Sequence, residues 1–559
     1  MTHLIVVVNA LLLSGTSSAK LPTYDVVIAN GRVVDGTGAP WFVGDVGVVG
    51  DRIVAIGDLS SAPTKQRIDA KSLVVAPGFI DLQGQSELNV LADNRLASKV
   101  TQGVTTEITG EGVSIAPANE QVFASRWRDT AQKLGIALDW RTLDEYLKRL
   151  ERAKPAANVG ILVGAGGLRI HVMGSDNRPP TPAELDQMRQ LLEQAMKEGA
   201  FGLSSALQYV PGVFATTEEL TELAKVARRY NGVYFTHQRS EADRIFESLD
   251  EVVAIAKGAN ISTTIWHLKT AYPPNWGKMP EVLRRLAAAR AAGVDVAASA
   301  YPYARSSNRI AACLPPWVSE GGGDKLVARL ADPSQRARAK KEMDEAGADW
   351  ENQWRGAGGG KGVMLSLVVT PELQKFVGKT FDEIGKELGK DPRDAAMDIA
   401  IADRGMSQVI NAIMDEADVR AVSSDPLVSF GADSAATAED GPLGAMRPHP
   451  RAFGTFPRVI SEYVQRAPTM RMEEAVRKMT SLAASRVGLM DRGILRPGMM
   501  ADIVVFDPAS LKDLATYKEP NHYSSGVKHV LVNGKPIVRD GVITDARPGR
   551  ALRGPGSRR

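Results

Sequence analysis

The chain has 559 residues, 44% hydrophobic and 24% charged, with 68 basic against 65 acidic residues for a net charge of +3. This balance excludes a disordered, collagen-like or coiled-coil chain, and the length suits one large domain plus a smaller one. No long basic run offers a nucleic-acid footprint, and the single cysteine, Cys313, excludes an intrachain disulfide and a cysteine-based metal cluster.

Leu4 to Leu13 is an apolar run followed by the small residues Ser17, Ser18 and Ala19. It reads as a signal peptide over residues 1–19, although its leading segment has no Lys or Arg. A buried N-terminal strand or a misassigned start is the alternative. Export would place the mature chain in the periplasm or outside the cell. No other apolar stretch is long enough to span a bilayer, so no membrane partner is expected.

Residues 20–75 read as a small β-domain, with short alternating strands around Asn30-Gly31 and Val46 to Val49. Residues 488–546 look the same, through Ala501 to Phe506, Val527 to Val532 and Ile537-Val538. The two ends are expected to build one composite β-sandwich domain. The Gly-, Pro- and Arg-rich tail, 547–559, reads as a loosely held arm.

The middle, 76–487, alternates apolar strands with amphipathic helices, which argues for a parallel sheet. Eight strands are predicted: Phe79 to Gln83, Val104 to Thr109, Val159 to Val163, Gly202 to Ser205, Val233 to His237, Thr263 to His267, Val296 to Tyr301, and Ala421 to Asp425. Eight βα units predict an α/β TIM barrel. The long gap between strands seven and eight marks an insertion, 304–420. It falls on the active-site face, where it could act as a lid.

Polar residues fall at the predicted C-terminal strand ends: Glu111, His237, His267 and Asp425. In such a barrel these ends converge on one mouth. Two imidazoles and a carboxylate there suit Zn²⁺ with an open position. Two satisfied core histidines are the plainer alternative. A carboxylate such as Asp425 beside a metal-held water could serve as general base and acid, though Asp-Pro also favours a turn or a helix cap.

From about Tyr24 to Arg553 the sequence resembles the N-acyl-D-amino-acid deacylase (D-aminoacylase) family of the amidohydrolase superfamily. The stretches that carry the resemblance are Ala76-Pro-Gly-Phe-Ile-Asp81, Gln102-Gly-Val-Thr-Thr106, Gly202-Leu-Ser204 with Tyr209-Val-Pro-Gly212, Thr236-His237, His267-Leu-Lys269, Tyr301-Pro-Tyr303, and Pro448-His-Pro-Arg451 with Gly454-Thr-Phe-Pro457. Pro497-Gly-Met-Met-Ala-Asp502 resembles the superfamily's C-terminal signature. Their order and spacing together are specific. The resemblance implies a zinc-dependent barrel with a composite β domain, hydrolysing the amide of an N-acyl amino acid of D configuration. A homo-oligomer stays open. So do other specificities on the same scaffold (dipeptidase, cyclic amidase, lactonase, amide-toxin hydrolase) and a non-catalytic binding homologue.

Two departures bear on the metal. The superfamily's His-x-His pair at the end of strand one is replaced by Gln83 and Gln85, poor zinc ligands, so an outer metal site is expected to be lost or weak. Where the family often has a cysteine after strand two, Gly110-Glu111-Gly112 offers Glu111. The expected set is one zinc on Glu111, His237 and His267. Lys269 resembles the family's position for the substrate carboxylate, or could be carbamylated and bridge two metals, which the lost His pair argues against; Tyr303 and Arg305 could assist, a solvated loop cation being the plainer reading of Arg305. Tyr209 could donate to the developing oxyanion, or merely pack in its loop. His449 is expected to hold the loop after strand eight.

Overall fold

The computed structural model of the protein describes residues 23–345 and 350–558. The predicted signal peptide lies outside them. Among the described residues no helix is long and apolar enough to cross a membrane.

The N-terminal strands are β1 (Tyr24–Val33), β2 (Phe42–Val49), β3 (Arg52–Gly57), β4 (Thr64–Asp69) and β5 (Val74–Pro77). At the far end of the chain lie β18 (Ile503–Phe506), β19 (Val527–Val532), β20 (Lys535–Arg539) and β21 (Val542–Ile543). They form one sheet in the order β21-β20-β19-β18-β5-β1-β2-β3, with β4 beside β1. The seam is the antiparallel pairing of β5 with β18, from Ile503 opposite Pro77 to Phe506 opposite Val74. Val26, Ile28, Val46 and Ile503 pack in the same apolar core, so each end of the chain supplies half of what the other must bury.

Between the two halves runs the barrel. Its strands are β6 (Phe79–Asp81), β7 (Val104–Thr109), β8 (Asn158–Ile161) continued by β9 (Val163–Gly164), β10 (Gly202–Ala206), β11 (Val233–His237), β12 (Thr263–Ile265), β13 (Val296–Ala300) and β17 (Val428–Phe430). All neighbouring pairs are parallel, in the orders β6-β7-β8 and β9-β10-β11-β12-β13-β17. A parallel bridge between Gly84 and Ser434 joins the first strand to the last. Counting the interrupted β8/β9 as one, eight strands close a TIM barrel.

The closure is reinforced by a buried polar knot. Asp81 accepts from the backbone N–H of Gln83 (3.0 Å) and of Ala432 (2.9 Å), linking β6 to the segment after β17. Lys99, fully buried, donates to Asp81 (2.6 Å) and to the Ser434 carbonyl (2.8 Å). Removing one partner would leave a buried charge uncompensated, at about 3–5 kcal/mol.

The eighth predicted strand is corrected. Ala421 to Ser424 is the end of the helix Glu416–Ser424, Asp425 is its C-cap, and the barrel strand begins at Val428. The tail is also corrected. Val159 takes the Arg550 carbonyl (3.0 Å), Leu552 donates to Val159 (2.8 Å) and Gly554 to Gly199 (2.8 Å), so the tail is strapped to the barrel. A Cβ on Gly554 would stand 2.2 Å from the Ala200 carbonyl oxygen, so only glycine permits this approach.

The chain between β13 and β17 carries a small antiparallel sheet of β14 (Ser306–Arg309), β15 (Val363–Leu367) and β16 (Gln408–Asn411), ordered β14-β16-β15. With its helices it has a core of its own, including Cys313, Trp354, Phe381 and Ile399. Cys313 is buried packing, as its apolar setting requires.

Candidate active site and metal centre

A cavity of about 1370 Å³ opens at the C-terminal ends of the barrel strands. Glu111, Tyr209, His237, His267, Lys269 and Asp433 all face it. Glu111 arrives by way of a glycine turn. Gly110 has φ +105° and Gly112 φ +64°, and a Cβ at Gly110 would stand 2.0 Å from the Leu162 carbonyl oxygen. That turn swings the carboxylate back over the mouth. His237 is the last residue of β11. His267 stands two residues past β12 with φ +38°, a left-handed backbone that costs a non-glycine residue energy and is held by the surrounding structure.

Glu111 Oε1 lies 3.1 Å from His237 Nδ1 and 3.7 Å from His267 Nε2. The two imidazole rings meet edge to face with centroids 4.3 Å apart. One ligand atom from each of the three residues falls within 4.8 Å of the others. The buried His237 Nε2 has no hydrogen-bond partner among the described residues. Two nitrogens and a carboxylate oxygen converging in this way fit a zinc ion with room for a further ligand.

The electrostatics favour a charged carboxylate. Burial opposes ionisation of Glu111, but the hydrogen bonds and charges of His237 and His267 outweigh it and hold its pKa well below the ordinary value. Burial lowers the pKa of His237, and the charge of His267 adds to this. Burial and Lys269 also work against charged His267, yet Glu241 and Asp433 prevail and raise it to about 9.

Glu241, four residues beyond His237, was not singled out by the sequence pattern. Its Oε1 lies 2.9 Å from His267 Nδ1 and 2.5 Å from Lys269 Nζ. It aims the other ring nitrogen, Nε2, at Glu111, the orienting role that carboxylates commonly play behind metal-binding imidazoles. Glu241 is itself seated by Glu351 of the insertion. That carboxyl accepts from the backbone N–H of Glu241 (2.5 Å) and of Ala242 (2.8 Å), from Ser240 Oγ (2.5 Å) and from Gln208 Nε2 (2.6 Å).

Asp425 is not in the site. It caps a helix at the opposite, N-terminal end of β17, its side chain accepting from Leu427 N–H (2.8 Å). The carboxylate that reaches the mouth is Asp433, just past β17, with φ +48°. It pairs with Arg451 Nη1 at 2.8 Å. Burial pushes its pKa up, and Arg451 and His267 oppose that rise.

Gln83 and Gln85 also face this carboxylate. Gln83 Nε2 donates to Glu111 Oε2 (2.9 Å) and Asp433 Oδ1 (3.1 Å), and Gln85 Nε2 to the same two atoms at 3.3 and 2.9 Å. Tyr209 packs edge to face on His237, centroids 5.0 Å apart.

Of the residues expected to bind a carboxylate, only Lys269 faces the cavity. Tyr303 is turned away, its hydroxyl donating to Asp513 (2.8 Å). Arg305 lies over the Tyr517 ring, 4.8 Å from its centroid. Pro302 separates two tyrosines, and it is Tyr301 that lines the mouth, with Arg451 stacked over it at 4.6 Å. His449 secures Arg451 by accepting its backbone N–H (3.0 Å), while its other nitrogen meets the Arg305 carbonyl (3.1 Å).

Residues 398–538 match the model of the Amidohydrolase family. The chain is 34% identical to the D-aminoacylase of Alcaligenes xylosoxydans xylosoxydans over 96% of this chain and 99% of that protein. It superposes on the N-acyl-D-glutamate deacylase of Bordetella bronchiseptica, solved with zinc and a phosphonate mimic of the tetrahedral intermediate. The TM-score is 0.79 at 33% identity, covering 95% of this chain and all of that one. A D-aminoacylase structure with a binuclear metal centre, described as activated by one metal and attenuated by the second, superposes with a TM-score of 0.77 at 32% identity over 95% of this chain and all of that one. On this likeness, and on the three candidate ligand residues gathered at one mouth, the chain belongs to the D-aminoacylase family of the amidohydrolase superfamily and is a metal-dependent amidohydrolase.

Proposed function

We propose that this protein is a zinc-dependent deacylase of N-acyl-D-amino acids, with one metal held by Glu111, His237 and His267. The observation that carries the reading is the convergence of those three ligands beside Asp433, within 4.8 Å of one another in a cavity large enough for an acylated amino acid. A zinc ion there would polarise the acyl carbonyl and acidify the attacking water. Asp433 takes a proton from that water and returns it to the departing nitrogen, giving a free carboxylic acid and an amine. Arg451 opposes the rise in the Asp433 pKa that burial causes, which favours the form that accepts a proton. To Tyr209, which packs on His237, this reading assigns donation to the oxygen that gains charge.

Lys269 and Tyr301 stand together on the cavity wall, the ammonium 5.6 Å from the ring centroid, and suit the substrate's carboxylate. Arg309 favours a second reading, in which the substrate side chain is itself acidic. Its guanidinium lines the same cavity, where burial and the Arg126 charge weigh against its own charge and Asp129 favours it. The run Leu4 to Leu13 supports a periplasmic or secreted setting.

The test is amine release from matched N-acetyl-D- and N-acetyl-L-amino acids by the zinc-loaded protein, with D-glutamate and D-aspartate derivatives included. Release confined to the D series supports the assignment. Release from the L series alone, or from dipeptides and lactones only, overturns it.

A further inference from the structure

The glutamine pair does more than fail to bind metal. Gln83 and Gln85 each use both hydrogens of one amide nitrogen to bridge Glu111 Oε2 and Asp433 Oδ1. Two like-charged carboxylates face one another here, and four N–H donors lie between them. The Gln83 carbonyl oxygen is buried and has no donor among the described residues. The amide's orientation is thus set by the carboxylates and leaves its own acceptor unsatisfied.

Both glutamines are also fixed at the backbone. Gln83 N–H is held by Asp81, and Gln85 N–H donates to the Ser434 carbonyl (3.2 Å) across the strand closure. The Gly431 backbone passes close to Gln83, since a Cβ added there would stand 3.0 Å from the Gln83 Cβ. A cation placed between Glu111 and Asp433 would meet amide hydrogens in this arrangement instead of lone pairs.

Resting on the deacylase reading above, we propose that the Gln83–Gln85 amides take the place of a second metal ion. They hold Glu111 and Asp433 in register as positioning residues and make this a mononuclear enzyme whose metal content and turnover do not respond to excess zinc. The partial positive charge of four N–H groups replaces a cation that could otherwise be lost or gained.

The experiment strips the full-length protein with a chelator and adds zinc from zero to about five equivalents. Unbound metal is removed, and zinc per chain is counted by mass spectrometry. The proposal expects one zinc per chain at saturation and flat turnover beyond it. The Gln83→His/Gln85→His variant, supplying two imidazoles in place of the amides, is expected to take up two zinc ions and to lose turnover as the second binds. Two zinc ions in the unaltered protein overturn the proposal and leave the deacylase reading standing. No zinc at all overturns both. A double variant with native circular dichroism that still holds one zinc also overturns it. If the double variant does not fold, the count in the unaltered protein decides.

Discussion

Asp433 Oδ2 and Arg451 Nη1 lie 2.8 Å apart, both side chains buried, one just past the last barrel strand and the other opening the helix Arg451–Ile460. The arginine in turn is fixed by His449, which belongs to the Pro-His-Pro-Arg motif. Asp433→Asn keeps the shape and removes the proton acceptor. It is expected to retain zinc and to lose turnover by roughly 10²–10⁴-fold. Asp425→Asn, at the far end of the same strand, should leave turnover unchanged. A loss in Asp425→Asn with normal turnover in Asp433→Asn would reverse the assignment.

Metal uptake should release a proton. His267 is held protonated up to about pH 9, chiefly by Glu241, against burial and Lys269. Zinc needs the neutral imidazole, so affinity for zinc should rise with pH, by roughly tenfold per unit below about 9 for one displaced proton. Titration calorimetry of the stripped protein at pH 6, 7 and 8, in buffers of different ionisation enthalpy, measures both quantities. Affinity independent of pH would contradict the protonated His267. His237→Ala and His267→Ala should each lose zinc and activity together.

Substrate anchoring separates two sets of neighbours. Lys269→Ala is expected to raise KM by roughly 30-fold, about 2 kcal/mol, through loss of a buried charge partner. Tyr303→Phe removes only the hydrogen bond to Asp513 and should cost about 1 kcal/mol of stability with KM unchanged. Arg305→Ala should likewise leave KM alone. Steady-state kinetics on the preferred N-acyl substrate, with zinc content checked for each variant, distinguishes the sets. A KM shift in Tyr303→Phe comparable to that in Lys269→Ala would return Tyr303 to the site.

Glu351 carries a stability dependence on pH. Burial, with the charge of Glu241, raises its pKa from 4.5 to about 8. Between these values the folded chain binds more protons than the unfolded chain, so stability falls as pH rises from about 5 to about 8. Glu351→Gln keeps an acceptor for Ser240 and the Glu241 and Ala242 amides and removes the titration. Thermal melts at pH 5, 6.5 and 8 should show the variant gaining on the unaltered protein as pH rises. Parallel curves would refute the raised pKa.

Much of this was legible in the sequence, for identifiable reasons. The runs Val104–Thr109 and Val233–His237 are expected and observed with the same bounds, because β-branched residues ending on a polar one mark a barrel strand and its active end. The eighth strand misled because it has only three residues, while Ala421 to Asp425 ends a helix with a polar Ser-Ser-Asp cluster that mimics a strand end. The better signal was Leu427-Val-Ser-Phe430, a short apolar run with Asp433 beyond it. In Tyr301-Pro-Tyr303 strand alternation would put both tyrosines on one face, but the strand ends at Ala300 and Tyr303 turns away to bond Asp513. Glu241 and Glu351 act across more than a hundred residues of chain, a relation no local pattern carries.

The seam between β5 and β18 has a consequence for how the chain is made. Val74 leaves the ribosome more than four hundred residues before its partner Phe506, a delay of tens of seconds at ordinary translation rates. Until then β5 offers an open strand edge and an apolar face, the combination that invites wrong pairing. The molecule therefore completes its N-terminal sheet last. The β5 edge is covered only once the C-terminal strands are available to pair.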